Sequence, residues 1–351
     1  MNKARIKHMP LCRCKAIYSF IAAAVLYIVL ACYYLHPVKS PGGPQTVIAA
    51  TWVAGATGCF VLSRRWIAAF AASLLAGAIY GFGPFALGFA AYHPLAGVPL
   101  AFVPWLFCPA AFWRKWRPSV SRRLAKTGAL AGSSVTAVLC LLPFCGIVGF
   151  FWLCGRPEIG PVFPMPVSLR LEPDKLAGLA APLTMRPHDF ILSFYHVPLA
   201  ALAMGLCILF ESRRHAVLVP VGAAAVLSFA GPLAQVSPVM WALIPVLFGS
   251  IVIGLGAEGL AWAGPSDGKW LLFCAAAVAI VAGACLYLSF TDGMIYRRTA
   301  ILHAGGLLSV GVIFALTRAE LRLHLLRWLL LGATLGADML GSGKYLADKV
   351  L

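Results

Sequence analysis

Ionisable side chains inside the long apolar segments of this sequence are the first candidates for chemistry. A charged group is costly at the depth of a bilayer, and where one occurs it usually belongs to a pathway or a binding site. Glu258 is the strongest candidate because it lies between glycines in the apolar segment GLGAEGLAW. Asp338 lies toward one end of the last apolar segment, and His196 and His303 lie a turn or two inside two others. Each of these residues also has a purely structural interpretation. On that interpretation the carboxylates lie among lipid headgroups, and the histidines are hydrogen-bonded packing residues.

One combination of side chains could form a catalytic site. Cys154, Arg298 and His303 would supply a thiolate nucleophile, a cation and a base, although nothing in their spacing brings them together. Arg298 could equally contribute to an electropositive vestibule on the outer surface. The sequence has no phosphate-binding glycine loop, HExxH or GxSxG motif, and its eleven cysteines show no metal-ligand spacing. We therefore expect no cofactor and no metal.

The composition implies that membrane-spanning helices position these residues. Of 351 residues, 61% are hydrophobic and 11% are charged, and the mean hydropathy is +0.89. A helix needs about 20 apolar residues to cross the hydrocarbon core, and uncharged runs of about that length recur along the chain. The runs are continuous and do not alternate, which favours helices over a β-barrel. We predict an all-α, polytopic transmembrane bundle.

Eleven spans are predicted, with ten as the alternative because the charge pattern weakens toward the C-terminus. They are Ala16 to Leu35, Val47 to Leu62, Trp66 to Gly83, Leu95 to Trp113, Thr127 to Cys154, Phe190 to Phe210, Ala216 to Ala234, Pro238 to Ala263, Trp270 to Phe290, Thr299 to Leu316 and Leu321 to Leu340.

The basic residues predict the orientation of the first five spans. With a cytoplasmic N-terminus, the inner side of these spans carries thirteen Lys and Arg, whereas the outer loops carry only Lys39. Cytoplasmic loops of membrane proteins show this excess, so we expect a plasma or inner membrane location with the N-terminus inside. The net charge of +17 is then expected to contact anionic lipid headgroups, not nucleic acid.

The chain divides into four parts on this interpretation. Residues 1–15 form a basic cytoplasmic N-terminus and residues 16–154 a membrane part of five helices. Residues 155–189 form an outer loop with seven prolines, and residues 190–351 form a second membrane part of about six helices.

A ladder of prolines marks the fourth span. Pro94, Pro99, Pro104 and Pro109 recur every five residues, and each proline inside a helix removes a backbone hydrogen bond. A five-residue step rotates by about 140° around a helix, so a single neighbouring helix cannot satisfy every freed carbonyl. We therefore expect this span to be broken or kinked and packed centrally, with Pro99 and Pro104 near a pathway.

Two further patterns predict helix contacts and helix ends. Small-residue pairs, which let two helices approach closely, occur at Gly77 with Gly81, Gly128 with Gly132, and Gly332 with Gly336. Thr317 and Glu320 have the spacing of a capping box, which predicts that the last helix begins there.

Three functions from different classes remain open. The favoured one is a transporter or permease-like bundle, or the membrane subunit of one, with Glu258 near its pathway. The second is a non-catalytic membrane scaffold or assembly protein with membrane partner subunits, which the scarcity of buried charge favours. The third is the membrane enzyme with a Cys/His site. A polar cavity at Glu258 would favour the first function and a solid core the second.

Overall fold

The described part of the chain folds almost entirely into helices. The computed structural model describes residues 13–36, 43–92, 94–116, 125–154, 198–211, 218–234, 236–292, 294–321 and 323–350. It is 90% helical, and no strand forms among the described residues. The α-helices, in chain order, are α1 (Arg13–Leu35), α2 (Gly43–Ser63), α3 (Phe70–Phe82), α4 (Pro84–Tyr92), α5 (Val98–Trp116), α6 (Ala125–Cys154), α7 (Leu199–Glu211), α8 (Leu218–Phe229), α9 (Leu243–Ala261), α10 (Gly268–Asp292), α11 (Met294–Arg318) and α12 (His324–Val350).

Among the described residues, eight helical segments are long and apolar enough to cross a membrane, as expected of a multi-span membrane protein. They are Ala16–Leu35, Gln45–Ser63, Phe70–Phe89, Pro94–Trp113, Val135–Cys154, Pro238–Ala261, Pro265–Phe290 and Tyr296–Arg318. The helices α7 and α8 have 13 and 12 residues, and α12 does not reach the same apolar threshold. The coarse expectation of a helical membrane bundle is confirmed, while the count of eleven spans stays a prediction.

Three of these segments form the centre of the bundle. Within the 18-residue apolar stretches of Gln45–Ser63, Phe70–Phe89 and Pro238–Ala261, 61%, 67% and 72% of the residues are buried. The same fraction is 17% for Ala16–Leu35 and 11% for Val135–Cys154, so these parts of α1 and α6 expose most of their surface to the surroundings.

Small residues allow the central helices to touch backbone to backbone. At Gly77 and Gly81 of α3, an added Cβ would overlap backbone atoms of Ala56 and Trp52 in α2. This confirms the close contact predicted from that glycine pair. The prediction is wrong for Gly332, since a Cβ there, and likewise at Gly336, would meet no atom within 4 Å. The surroundings of the pair at 128 and 132 lie outside the described residues.

The proline ladder does not break its helix in the middle. A 3-10 turn, Pro94–Gly97, precedes α5, and α5 then continues through Pro104 and Pro109. The expected interruption is therefore confined to the start of the span. The expected central contacts are present, because α5 packs against α2, α6 and α9.

A neighbouring helix supplies the hydrogen bond that Pro104 removes. Without an N–H at position 104, the carbonyl of Leu100 loses its usual helical donor. The hydroxyl of Tyr80, in α3, donates to this carbonyl oxygen at 3.0 Å in a buried position. A side chain on another span thus allows the proline to remain inside a continuous helix.

The predicted capping box at Thr317 is wrong. Thr317 lies in the last turn of α11, where its hydroxyl donates to the carbonyl of Ile313 at 2.7 Å. Glu320 has a φ of 54°, and the amides of Glu320 and Leu321 donate to the carbonyls of Thr317 and Leu316 at 3.2 and 3.0 Å. This pair of bonds is the Schellman motif that ends a helix, so the pattern terminates α11 and α12 begins later, at His324.

Candidate functional site

Glu258 lies in the last turn of α9 and contacts the connection between α2 and α3. The backbone N–H of Ala68 donates to both carboxylate oxygens, at 3.2 and 3.1 Å, and the N–H of Ala69 donates to Oε1 at 3.0 Å. Glu258 is half-buried. The carboxylate therefore caps the N-terminus of α3 from another span.

The local sequence explains why α3 needs an external cap. Ala69 is the N-cap residue, with extended backbone angles of φ −71° and ψ 131°, and it offers no side-chain hydrogen bond. A helix N-terminus leaves backbone donors unpaired and carries partial positive charge. The Glu258 carboxylate accepts hydrogen bonds from these donors and supplies a negative charge, whereas the side chain of Ala69 can do neither.

Two arginines hold the same connection, residues 64–69, against its neighbours. The Arg64 guanidinium donates to the carbonyl of Ala68, and the Nε of Arg65 donates to the carbonyl of Ala111 in α5 at 2.9 Å. Partial burial lowers the pKa of Arg64, and the charge of the nearby Glu258 carboxylate opposes this shift. The connection thus links α5 and α9 through one charged cluster at this end of the bundle.

A second charged contact closes the C-terminal end of α9. Arg327 is only 2% exposed, and its Nη atoms donate to the carbonyls of Ala263 and Leu321 at 2.7 and 3.2 Å. His324 packs its ring on Trp262, with the ring centroids 4.3 Å apart. Cations are favoured at helix C-termini, where carbonyl groups are unpaired. Sequence reasoning missed Arg327 although it lies within the predicted last span, where any charged residue is a candidate.

A third charged contact lies where α12 meets the end of α1. Lys344 donates to the carbonyl of Tyr34 at 3.4 Å and to that of His36, and it pairs with Asp348 at 2.9 Å. The hydroxyl of Tyr34 donates in return to the carbonyl of Met339 at 2.8 Å. Like Glu258 and Arg327, Lys344 uses its charge on the backbone at a helix end.

Those other predicted candidates whose side chains are described do not join Glu258. Arg298 is exposed and His303 is 5% exposed, both on α11. Pro99 and Pro104 are buried in α5. His196 lies outside the described residues, and only the backbone of Asp338 is described, within α12.

The suggested catalytic combination is not assembled by the described helices. Cys154 is the last residue of α6, whose main contact is with α5. The helix that carries Arg298 and His303 packs mainly on α10. Among the described residues, no group of three or more His, Cys, Asp or Glu side chains could hold a metal ion.

Aromatic side chains fill the space between α1, α2 and α3. The rings of Tyr27, Tyr34, Trp52 and Phe82 are each at most 1% exposed, and Phe82 lies with its centroid 5.9 to 6.0 Å from the centroids of the other three. Among the described residues, a cavity of about 450 Å³ lies beside α6 and α8 and one of about 20 Å³ beside α7. Glu258 lines neither of them.

The chain matches no protein-family model, no curated protein and no solved structure.

Proposed function

We propose that this protein is a non-catalytic scaffold or assembly subunit of a membrane complex. One observation carries the proposal: the Glu258 carboxylate is occupied by two backbone amides of the α2–α3 connection. A pathway carboxylate needs a water-filled route or a substrate beside it. A carboxylate that caps a helix fixes one span against another, which is what a rigid scaffold requires.

The charged and polar contacts of the bundle support the same conclusion. Arg327 and Lys344 also bind backbone carbonyls at helix ends, and Tyr27, Tyr34 and Tyr80 each donate a hydroxyl to a carbonyl of another helix. These groups hold helices in fixed positions. A transporter that alternates between two states would have to break some of them.

The proposal includes the finer membrane arrangement. Eleven spans with a cytoplasmic N-terminus would place the charged cluster at residues 64–69 on the cytoplasmic side, near anionic headgroups. A reporter fused after Lys126 is then expected to be cytoplasmic, and one inserted near Lys175 is expected to be external. If both reported the same side, the arrangement of the first five spans would be wrong.

Purification from the native membrane in mild detergent tests the scaffold function. We expect the chain of 37.3 kDa to elute and to appear by native mass spectrometry as part of a larger complex with fixed stoichiometry.

The matched functional test compares ion flux in proteoliposomes of the wild type and Glu258→Gln, with Glu320→Gln as the control. If the chain were found alone, and if ion flux were lost in Glu258→Gln but kept in Glu320→Gln, the scaffold proposal would be wrong and the transporter hypothesis would replace it.

A further inference from the structure

Two cations of α12 bind the ends of two different helices. The Nη1 of Arg327 donates to the carbonyl of Ala263, just after the C-terminus of α9. The Nζ of Lys344 donates to the carbonyl of Tyr34, in the last turn of α1. Arg327 and Lys344 are seventeen residues apart in the sequence, so they are separated by about 26 Å along the helix axis. The helix α12 therefore reaches from the end of α9 to the end of α1.

The helix α3 shows that these two helix ends lie at opposite ends of the bundle. It begins beside the last turn of α9, where the N–H of Ala69 donates to the Glu258 carboxylate at 3.0 Å. It ends at Phe82, whose ring stacks on Tyr34 of α1 with the ring centroids 6.0 Å apart. All of α3 belongs to Phe70–Phe89, a segment able to cross a membrane. The helix α12 thus connects the same two ends as this segment, and it runs in the same direction.

The length of α12 fits a membrane crossing, but its composition does not. Its 27 residues extend about 40 Å, whereas the hydrocarbon core is about 30 Å thick. It is nevertheless less apolar than the eight segments able to cross a membrane, and Arg327, Lys344 and Asp348 lie within it. Charged residues oppose the insertion of a helix. By composition alone, α12 would lie along the membrane surface with both ends on one side.

The contacts at the two ends of α12 accommodate its charges. Arg327 is 2% exposed, and its Nη atoms donate to the carbonyls of Ala263 and Leu321 at 2.7 and 3.2 Å. A buried cation in a membrane protein is tolerated when it pairs with backbone carbonyls in this way. At the other end Lys344 is half-buried, and a Cβ at the preceding Gly343 would overlap the hydroxyl of Tyr34. The backbone of α12 is therefore pressed closely against α1 beside the second cation.

We propose that α12 is a conditional membrane span, which crosses the bilayer because Arg327 and Lys344 hold its two ends to α9 and α1. Without these contacts, α12 stays on the side of the membrane where it begins. This conditional span extends the proposed arrangement of eleven spans and rests on it in one respect, namely that the bundle crosses a bilayer. It is independent of the scaffold function and of which end of the bundle is cytoplasmic.

The side on which a reporter appears tests the crossing in the wild-type chain. A reporter fused after Leu351, one residue beyond α12, is compared with the reporter fused after Lys126, at the start of α6. The preceding helix α5 ends beside the Glu258 cluster, where the carbonyl of Ala111 accepts a hydrogen bond from Arg65, so Lys126 marks that end of the bundle. We expect the two reporters on opposite sides of the membrane. Reporters on the same side would overturn the proposal, and the separate comparison of Lys126 with Lys175 would show whether the first five spans are also wrong.

Two substitutions test the contacts, because composition and contacts predict opposite results. Arg327→Leu and Lys344→Met each make α12 more apolar, and Lys344→Met also removes a positive charge from the end that has to cross. If composition decided, both substitutions would leave the crossing intact or increase it. Because both remove a contact at a helix end, we expect the fraction of the Leu351 reporter found opposite Lys126 to fall at least about twofold.

Two further variants complete the test. Arg318→Leu is the matched control, because it removes an exposed arginine at the end of α11, whose guanidinium lies 5.5 Å from the ring centroid of Phe314 in the same helix. It should behave like the wild type. Arg327→Lys keeps the charge and a donor, so it should give a fraction between those of the wild type and Arg327→Leu. If Arg327→Leu and Lys344→Met left the fraction unchanged or raised it, or if Arg318→Leu lowered it equally, the proposal would be wrong.

Discussion

The contact of Glu258 with the N-terminus of α3 predicts a specific loss of stability. Glu258→Ala leaves the amides of Ala68 and Ala69 without their acceptor, and these amides now bond to a carboxylate at 3.0 to 3.2 Å. A hydrogen bond to a charged group contributes about 1.5 to 3 kcal/mol, and water at this half-buried site replaces part of it. Including the interaction with the helix dipole, we expect the free energy of unfolding to fall by about 2 to 3 kcal/mol.

A graded series separates the charge of Glu258 from its hydrogen bonds. Glu258→Gln keeps one acceptor oxygen and loses the negative charge, so we expect a smaller loss of about 1 to 2 kcal/mol. Glu320→Gln is the control, because Glu320 also lies near the end of a helix but is exposed, follows α11 and accepts no hydrogen bond from an N-terminal amide of the described helices. Glu320→Gln should change the free energy of unfolding by less than about 0.5 kcal/mol.

Two measurements test the Glu258 and Glu320 variants. Unfolding in mixed micelles gives the free energies, and hydrogen exchange followed by mass spectrometry reports on peptides that include residues 66–72. We expect faster exchange in these peptides for Glu258→Ala, with little change in α1 or α11. If both Glu258 variants unfolded like Glu320→Gln and left the exchange unaltered, the carboxylate would not be a helix cap and the argument for a scaffold would fail.

Two further predictions test helix contacts. Tyr80→Phe should lower the free energy of unfolding by about 1 to 3 kcal/mol, because it leaves the buried carbonyl of Leu100 unpaired. The loss should be smaller in a Pro104→Ala background, where the new N–H of residue 104 donates to that carbonyl. A double-mutant cycle measures this coupling, and additive effects of the two substitutions would contradict it. Gly256→Ala should be destabilising by at least about 1 to 3 kcal/mol, because its Cβ would overlap the carbonyl of Ala201. Gly332→Ala, which has open surroundings, should be neutral or slightly stabilising in the same unfolding assay.

The helices could be predicted because their signal is local. Each apolar run of about 20 residues specifies a helix by its own composition, and the structure has helices in all of the runs that it describes. Small residues four apart create a flat helix face, which gave the correct contact at Gly77 and Gly81. The same spacing at Gly332 and Gly336 marks no contact, because the pattern allows close approach but does not specify a partner helix.

The partners of the candidate residues could not be predicted because they are backbone groups on distant parts of the chain. The contact between Glu258 and Ala68 spans 190 positions, and every residue offers the same N–H, so no side-chain pattern marks the donor. The Leu100 carbonyl has its donor on another helix, at Tyr80. The sequence indicated that Pro104 would free a carbonyl but not which helix would supply the bond.

The error at Thr317 has a similar origin. A Ser or Thr three residues before a Glu begins a helix when the chain enters it from an extended segment. Here the preceding segment is already helical, so the hydroxyl of Thr317 bonds back into α11 and Glu320 takes the left-handed conformation that ends it. The pattern marked a helix end correctly but assigned it to the wrong helix.

The signs of the charged contacts follow from helix polarity. The anionic Glu258 binds amides at an N-terminus, whereas the cationic Arg327 and Lys344 bind carbonyls in or just after the last turns of helices. Both cations belong to α12, one near each of its ends, and they contact the ends of α9 and α1 respectively. The helix α12 is less apolar than the eight segments able to cross a membrane. Its two cations bind it to the end of the central helix α9 and to the end of α1 at the edge of the bundle.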